Sequence, residues 1–265
     1  MFNVNRNDSI VSHVSTSLEI GIKSLLYSKK WFIYILLSLA PFIFSLLSSD
    51  RLAGDPDGLT AFISVTMEIQ FGFFYVFGVL LIALPVTSDE ISDHILDLFL
   101  IRPINKEIMY FTRYFVVFIA NTVINSLLVI FYYVYSYVID KRNMIDDLNL
   151  LAGVLIFYIY ANLLYSALFV GIGFIGTRGF GIGVFVAIIE LYFLNFLFLS
   201  DDALVPRTNL QIIANHYIGG SFPYNQTSNF IASLTNFENA VIYVFVVTVA
   251  LLVAGLLYFK YRDFA

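Results

Sequence analysis

The chain contains no cysteine, and charged residues make up only 12% of its 265 positions. The lack of cysteine excludes thiol catalysis, disulfide bonds and cysteine-ligated metals. An average soluble domain is about 25% charged, so this scarcity of charge excludes an ordinary soluble protein. No Gly-Lys dipeptide occurs, which excludes a Walker A loop in this chain. The acidic pI of about 5.1 argues against general binding of nucleic acid.

Long apolar runs fill most of the sequence, and hydrophobic residues make up 60% of it. A helix needs about 20 apolar residues to cross a bilayer. Six runs meet this requirement: 31–48, 61–86, 114–139, 148–175, 180–199 and 240–259. The sequence therefore predicts an all-α membrane protein, with six transmembrane helices in a single transmembrane domain over residues 1–265.

Basic residues indicate how these helices are oriented, because positive charge concentrates in cytoplasmic loops. With both termini in the cytoplasm, ten of the 14 lysine and arginine residues fall inside and four fall outside. This bias predicts a multi-pass protein of the cytoplasmic (plasma) membrane. Apolar residues at three- and four-residue steps also predict an amphipathic helix over 10–28, which lies on the inner surface of the lipid bilayer.

Charge is concentrated in the stretch 88–107, between the second and third spans. Its apolar residues at helical spacing predict one face packed on the membrane helices, and its acidic residues predict a second, polar face. Arg102-Pro103 predicts the end of this helix, since proline disfavours helix at the residue before it. A new helix then begins near Lys106. The polar stretch 200–239 is longer than an ordinary connection, which suggests a function or re-entrant structure.

The charged stretch resembles a motif of ABC-2-type transporter permeases, E-x-E-x-G-T-x-E-x-L-L-x-R-P-I-S-R. Glu90 matches its first glutamate, Asp97 matches the later acidic residue, and Arg102-Pro103-Ile104-Asn105-Lys106 match its R-P-I-S-R end. His94-Ile95 stand where the family has Gly-Thr, which is a departure. The ending Tyr258-Phe259-Lys260-Tyr261-Arg262-Asp263-Phe264 is similar to the family's F-x-x-R-D-L.

The resemblance implies the permease subunit of an ATP-driven transporter, in a family that mostly exports its substrates. ATP and Mg would be bound by a separate cytoplasmic ABC ATPase, present in two copies, and this chain would bind no cofactor itself. A second permease copy, identical as in a homodimer or paralogous, would complete the complex. The outer stretch 200–239 would be available to an extracytoplasmic partner. The residues implied to couple ATP hydrolysis to transport are Glu90, Asp93, Asp97, Arg102, Pro103 and Lys106.

Glu190 lies near the middle of the fifth span, and an intramembrane carboxylate indicates a functional site by default. Together with Asn121 and Asn125 it would line a translocation path, or these side chains would form hydrogen bonds between helices. Two other functions stay open: an ion-coupled secondary transporter that uses Glu190, and a non-transporting membrane anchor of a larger complex. One histidine and two acidic residues in 88–107 have a spacing that allows a metal ion. A lone histidine among carboxylates at a membrane surface is usually only polar, so no metal site is predicted.

Two further patterns concern packing. The string GIGFIG at 171–176 matches a dinucleotide-binding fingerprint, but no strand and no βαβ unit is predicted around it. It predicts instead a tight turn between two spans that lets helices pack closely. Four tyrosines near the outer end of the third span predict an aromatic belt at the membrane interface; they are Tyr132, Tyr133, Tyr135 and Tyr137.

Overall fold

A computed structural model describes residues 6–47, 62, 66, 71, 74–92, 105–140, 148–176, 178–189, 206–218 and 236–261. This part of the chain forms nine helices and contains no strand, which confirms the all-α prediction. In chain order the helices are α1 (Arg6–Tyr27), α2 (Lys30–Leu47), α3 (Tyr75–Val86), α4 (Ser88–Ser92), α5 (Lys106–Asp140), α6 (Leu148–Gly173), α7 (Gly179–Ile188), α8 (Pro206–Ile218) and α9 (Phe237–Tyr261).

Three of these helices, α5, α6 and α9, are long and apolar enough to cross a membrane. They coincide with the predicted spans 114–139, 148–175 and 240–259. Two further apolar helical stretches are shorter, at Lys30–Ala40 and Gly179–Ile188. The three long helices indicate a membrane protein. The total of six spans and the side on which the termini lie stay predictions.

Helix α5 is unusually long, with 35 residues. At 1.5 Å per residue it extends for about 50 Å, whereas the hydrocarbon core of a bilayer is about 30 Å thick. The helix begins at Lys106, so the predicted start of a new helix near that residue is confirmed. α5 therefore reaches beyond the membrane core.

Helix α6 lies at the centre of the described bundle and contacts α3, α5, α7, α8 and α9. In the most apolar stretch of α6, a share of 56% is buried inside the protein. The corresponding share in α9 is 22%. α5 and α9 keep large apolar side chains on an exposed face, as suits helices surrounded by lipid tails. Examples are Ile119, Val123, Leu127, Phe245, Val249 and Val253.

Glycines allow the apolar helices to approach one another closely. A Cβ atom on Gly78 of α3 would overlap the Tyr34 ring of α2, and a Cβ atom on Gly183 of α7 would overlap Leu80 of α3. Gly176, between α6 and α7, has a φ of 88°, a conformation that favours glycine. The prediction of a tight turn with close helix packing is confirmed.

Helix α1 packs against α5 and α3 through a face that combines small residues with Leu25. Ser17, Gly21 and Leu25 are spaced four residues apart and form its buried face. A Cβ atom on Gly21 would lie only 3.0 Å from the guanidinium group of Arg113. Ile22, on the predicted apolar stripe, is 47% exposed. The apolar stripe therefore coincides with the inward face of α1 only in part, and Ser17 and Gly21 allow the close approach to α5.

Part of the predicted outer stretch 200–239 is a helix. α8 packs against α6 and α9 and buries Leu210, Ile213 and Ala214. The guanidinium carbon of Arg207 lies 5.8 Å from the centre of the Phe71 ring, which is a cation–π distance. Residues 236–239 lead into and begin α9, and residues 200–205 and 219–235 lie outside the described part of the chain.

Candidate functional site

A turn after α3 sets the position of the short helix α4. Pro85 has no backbone N–H and so weakens the last turn of α3. Thr87 follows with φ −132° and ψ −77°, outside the helical region, and its hydroxyl donates to the Ala83 carbonyl at 2.7 Å. Gly173 of α6 leaves room for this threonine, because a Cβ atom there would overlap Thr87 Oγ1. α4 therefore begins as a separate helix at one end of the bundle.

Three consecutive residues of α4, Ser88, Asp89 and Glu90, bind three different parts of the protein. Ser88 Oγ donates to the carbonyl oxygen of Gly176, in the turn between α6 and α7, at 2.8 Å. Asp89 accepts hydrogen bonds from Nζ of Lys30, at the start of α2, at 2.6 and 2.7 Å. Glu90 binds α5. These three residues and the groups that they bind are named the α4 junction.

The contact between α4 and α5 is a buried ion pair. The side chains of Glu90 and Arg113 are both 0% exposed, and Arg113 Nε lies 2.8 Å from Glu90 Oε2. Arg113 Nη1 also donates to the carbonyl oxygen of Ser17 on α1 and lies 3.3 Å from its hydroxyl oxygen. That hydroxyl lies 2.6 Å from the hydroxyl of Thr112. One buried charged centre thereby joins α1, α4 and α5, and removal of one partner of such a pair costs about 3–5 kcal/mol.

Burial dominates the ionisation of Glu90. Removal from water raises the pKa of Glu90 from the ordinary 4.5 to about 7, and the charge and hydrogen bond of Arg113 oppose this rise only in part. Ser24 lies near the carboxylate and lowers the pKa slightly, but its hydroxyl donates to the Pro85 carbonyl at 2.6 Å. Among the described residues, no group donates a hydrogen bond to Glu90 Oε1. Glu90 therefore exchanges its proton near neutral pH, with one oxygen held by Arg113.

The position of Glu90 corrects an expectation. The periodicity of 88–107 placed Glu90 beside a polar face, but the structure buries it inside the protein, against Arg113 of α5. A role in coupling would therefore act through Arg113 and not through direct contact with a docked protein. Five other predicted site residues lie outside the described part of the chain: Asp93, Asp97, Arg102, Pro103 and Glu190.

Lys106, the remaining predicted coupling residue, is the first residue of α5. Its Nζ donates to the carbonyl oxygen of Lys260 at 3.3 Å, and Lys260 Nζ lies 2.9 Å from Glu107 Oε1. Asn105 caps the helix, because its Oδ1 accepts the backbone N–H of Glu107 at 2.9 Å. The start of α5 is therefore tied to the end of α9. The Lys260–Glu107 pair is about half exposed and so adds little stability.

Arg113 joins α4 to α5 and α1, although the charge bias of the sequence indicates only a basic residue at the inner surface. Its sequence context marks it out. It stands between aromatic residues in a long apolar helix, and the reasoning that singles out Glu190 applies to it equally. Its neighbours are Tyr110, Phe111, Tyr114 and Phe115.

A second polar cluster lies among α2, α3, α5 and α6. Asn125 Nδ2 donates to Asn162 Oδ1 at 3.1 Å and to the carbonyl oxygen of Asn121 at 2.8 Å. Asn162 Oδ1 also accepts from the hydroxyl of Tyr75 at 2.8 Å, and the hydroxyl of Tyr34 donates to Asn125 Oδ1. All five side chains are buried. Asn121 Nδ2 also donates to the hydroxyl of Ser166 on α6 at 3.3 Å. Asn121 and Asn125 thus both form hydrogen bonds between helices, which is one of the two roles that their sequence positions allow.

No known protein family, curated protein or solved structure matches this chain. Within the described ranges, no three histidine, cysteine, aspartate or glutamate side chains are grouped so as to hold a metal ion. Function is therefore inferred from the α4 junction, the asparagine cluster and the motif resemblance of 88–107.

Proposed function

We propose that the chain is the permease subunit of an ATP-driven ABC-2-type transporter in the cytoplasmic membrane, and that it exports its substrate. The α4 junction is the observation that carries the proposal. α4 begins the stretch 88–107, which resembles the coupling motif of that family. It is also bound to α2, to α5 and to the turn between α6 and α7. A force applied to this stretch is thereby passed to several helices at once.

The force comes from a separate protein, because this chain has no Walker A loop. Two copies of a cytoplasmic ABC ATPase bind ATP and Mg, and they serve two permease subunits. Asp93 and Asp97 provide the acidic face that meets basic residues of the ATPase. Arg102 and Pro103 end this contact surface, and Lys106 begins the helix that carries the movement into the membrane.

Two ion pairs of the α4 junction differ in how firmly they pass on this force. The Lys30–Asp89 pair is about one-third exposed, so water and salt weaken it. The Glu90–Arg113 pair is fully buried and also holds α1 through Ser17. Because a low-dielectric surrounding strengthens a hydrogen-bonded ion pair, α1, α4 and α5 move together. α5 therefore receives most of the displacement.

The displacement reaches the asparagine cluster along α5. Asn121 and Asn125 lie 8 and 12 residues beyond Arg113, which corresponds to about 12 and 18 Å along a helix. The hydrogen bond from Asn125 to Asn162 connects α5 to α6. Movement of α5 changes these hydrogen bonds and opens a polar path, which Glu190 lines.

The proposal is tested first by whether an adjacent reading frame encodes a protein with a Walker A motif, then by copurifying the chain with that ATPase and measuring ATPase activity in liposomes. We expect association and stimulated ATP hydrolysis. Reversal of both Asp93 and Asp97 to lysine is expected to abolish the stimulation. Glu19→Lys is the matched control, because Glu19 is 60% exposed on α1 and pairs only with Lys23 among the residues described.

The outcomes separate the functions that the sequence leaves open. A wild-type chain that binds no ATPase contradicts the permease proposal and favours an ion-coupled transporter or a membrane anchor. A double reversal that leaves coupling intact removes only the role given to Asp93 and Asp97. Glu190→Gln is expected to reduce transport while assembly with the ATPase is retained, and unchanged transport removes Glu190 from the path.

A further inference from the structure

A buried arginine on α8 carries a charge that the described residues do not compensate. Arg207 is only 8% exposed, and it forms no hydrogen bond and no ion pair within the part of the chain that the structure describes. Its one charge-related contact there is with the ring of Phe71, 5.8 Å from the guanidinium carbon. A cation–π contact offsets only part of the cost of removing a charge from water. A bound anion would offset the remainder.

The tip of the guanidinium group is the part that an anion can reach. Nε of Arg207 is enclosed and has no hydrogen-bond partner among the described residues. The terminal nitrogens Nη1 and Nη2 are not among the enclosed atoms, so they share the small exposed fraction of the side chain. Two parallel N–H groups at the tip of a guanidinium group match the two oxygens of a carboxylate or phosphate. The accessible atoms therefore suit an oxyanion.

The first turn of α8 adds partial positive charge beside Arg207. The helix runs over Pro206–Ile218, has 13 residues and contains no acidic side chain in its first turn. The first N–H groups of a helix have no acceptor within the helix, and the aligned peptide dipoles make this end positive. Side chains lean towards the N-terminus of their helix, so the Arg207 side chain and these N–H groups favour the same anion.

Helix α6 separates this site from the α4 junction by the thickness of a membrane. A Cβ atom on Gly153 would lie 2.9 Å from Tyr217 of α8, whereas a Cβ atom on Gly173 would overlap Thr87, next to α4. Gly153 and Gly173 are 20 positions apart, which corresponds to about 30 Å along a helix. The hydrocarbon core of a bilayer is also about 30 Å thick. α8 and the α4 junction therefore lie near opposite faces of the membrane.

Two aromatic rings connect Arg207 to the asparagine cluster. The Phe71 ring, beside the guanidinium group, has its centre 5.4 Å from that of Tyr75. The hydroxyl of Tyr75 donates to Asn162 Oδ1 at 2.8 Å. Arg207 is thus at the end of the cluster that faces away from the α4 junction. A charged residue buried at membrane depth typically marks the path of a substrate or an ion.

We propose that Arg207 and the first turn of α8 bind the oxyanion group, phosphate or carboxylate, of the molecule that the chain transports. The site by itself binds an anion, and only the identification of that anion as the substrate rests on the proposed function. A cation is repelled by the guanidinium group, and an uncharged molecule leaves its charge uncompensated. The substrate is therefore an anion, and it is recognised at the membrane face opposite the α4 junction.

The first test measures anion binding by the purified full-length chain without an ATPase, as a rise in the midpoint of thermal unfolding. The probes are inorganic phosphate, octyl phosphate and octyltrimethylammonium, in an uncharged detergent at equal ionic strength. We expect both phosphates to raise the midpoint and the cation to leave it unchanged. An affinity for octyl phosphate at least about tenfold above that for inorganic phosphate identifies an amphipathic anion, and equal affinities identify a small oxyanion. Indistinguishable midpoints with octyl phosphate and octyltrimethylammonium overturn the proposal.

Variants of Arg207 locate the binding and test whether its charge is uncompensated. Arg207→Met is expected to weaken octyl phosphate binding at least about tenfold, the effect of one hydrogen bond to a charged group. The same variant should unfold a few degrees higher without a ligand, because an apolar side chain replaces an isolated buried charge. Arg207→Lys keeps the charge but not the paired N–H groups, so it should lose part of the affinity.

Arg178→Met is the matched control, since Arg178 is exposed at the start of α7, and both its affinity and its stability should stay unchanged. Equal losses of affinity in the Met variants of Arg178 and Arg207 would show a general charge effect and overturn the assignment. A large loss of stability in Arg207→Met would show that a group of the chain itself pairs with the guanidinium group, which also contradicts the proposal.

ATPase activity of the reconstituted complex tests the role of the anion as the substrate. Octyl phosphate is expected to stimulate ATP hydrolysis by the wild-type complex, and this stimulation should be lost in Arg207→Met. Binding through Arg207 without any stimulation overturns the substrate role. A chain that binds no ATPase but still binds octyl phosphate through Arg207 contradicts the permease function, and the anion site stands.

Discussion

The protonation of Glu90 makes the stability of the protein depend on pH in a specific direction. Its folded-state pKa is about 7, against an ordinary value of 4.5 for the unfolded chain, because burial disfavours the charged carboxylate. Between these two pH values the folded protein holds a proton that the unfolded chain has lost. The contribution of Glu90 to stability is therefore fully present below about pH 4.5 and is lost as the pH rises through 7.

The size of the effect follows from the two pKa values. One pKa unit corresponds to about 1.4 kcal/mol, so the difference between 4.5 and about 7 corresponds to roughly 3 kcal/mol of unfolding free energy. Glu90→Gln removes this dependence, because an amide does not titrate and keeps nearly the same shape. Other titrating groups are shared by both proteins and cancel in the difference.

The measurement is the free energy of unfolding of the wild type minus that of Glu90→Gln, in mixed micelles between about pH 5 and pH 8. This difference is expected to fall with rising pH by an amount on the order of 2–3 kcal/mol. The same difference can be measured in the Arg113→Gln background, with and without Glu90→Gln. Its fall should move to higher pH, because the cation that lowers the pKa of Glu90 is absent. Arg178→Gln, at an exposed arginine, is the control. Superimposable pH profiles for wild type and Glu90→Gln would refute the burial of this carboxylate.

The remaining predictions concern close packing and the polar contacts. Gly173→Ala is expected to destabilise the protein by about 1–3 kcal/mol, because its Cβ would overlap the threonine of the α3–α4 turn. Gly181→Ala is the control, since it meets no atom within 4 Å and should be neutral or slightly stabilising; equal losses in both variants contradict the packing argument. Asn125→Leu should cost about 1–2 kcal/mol for its interhelical hydrogen bonds, measured by thermal unfolding in detergent, and no loss contradicts their contribution. Lys30→Ala should cost less than about 1 kcal/mol because its pair with Asp89 is partly exposed, and the loss should shrink further in high salt.

Hydropathy predicted the three long helices well because their signal is local. A run of apolar residues long enough to cross a membrane fixes both the type and the approximate bounds of a helix. The start of α5 near Lys106 followed from the proline before it, and the turn at Gly176 followed from the glycine string. These elements need no information from distant parts of the chain.

The buried face of α4 was beyond prediction for the opposite reason. Helical periodicity placed Glu90 beside a polar face, but its burial depends on its partner Arg113 and on α1, which packs against α5 and α3. Ser17 and Arg113 meet although they are 96 positions apart in the sequence. Small residues on α1 allow this approach, and they carry little hydrophobic signal. The junction is therefore a tertiary feature that no local pattern contains.

The tyrosines near the end of α5 show the same limit. Their position predicts an aromatic belt, but Tyr132 and Tyr133 are each only 2% exposed. The hydroxyl of Tyr132 donates to the carbonyl oxygen of Ser38 on α2, and the ring of Tyr133 packs edge-on against Phe62 at 5.4 Å. Tyrosines occur both in aromatic belts at a membrane interface and in buried contacts between helices, so the sequence alone does not distinguish the two. Only the packing of α2 against α5 does. The belt prediction is wrong for these two residues.

The unbroken length of α5 makes Arg113 a fulcrum. The helix extends about 10 Å from Arg113 to Lys106 and about 28 Å from Arg113 to Tyr132, at 1.5 Å per residue. The ion pair of Arg113 is fully buried, whereas the described contacts of Lys106 and Glu107 with the end of α9 are exposed or partly exposed. If α5 tilts about this point as a rigid rod, a displacement of about 1 Å at Lys106 becomes about 3 Å in the opposite direction at Tyr132. A small displacement at one end of α5 would thereby become a larger displacement at its other end.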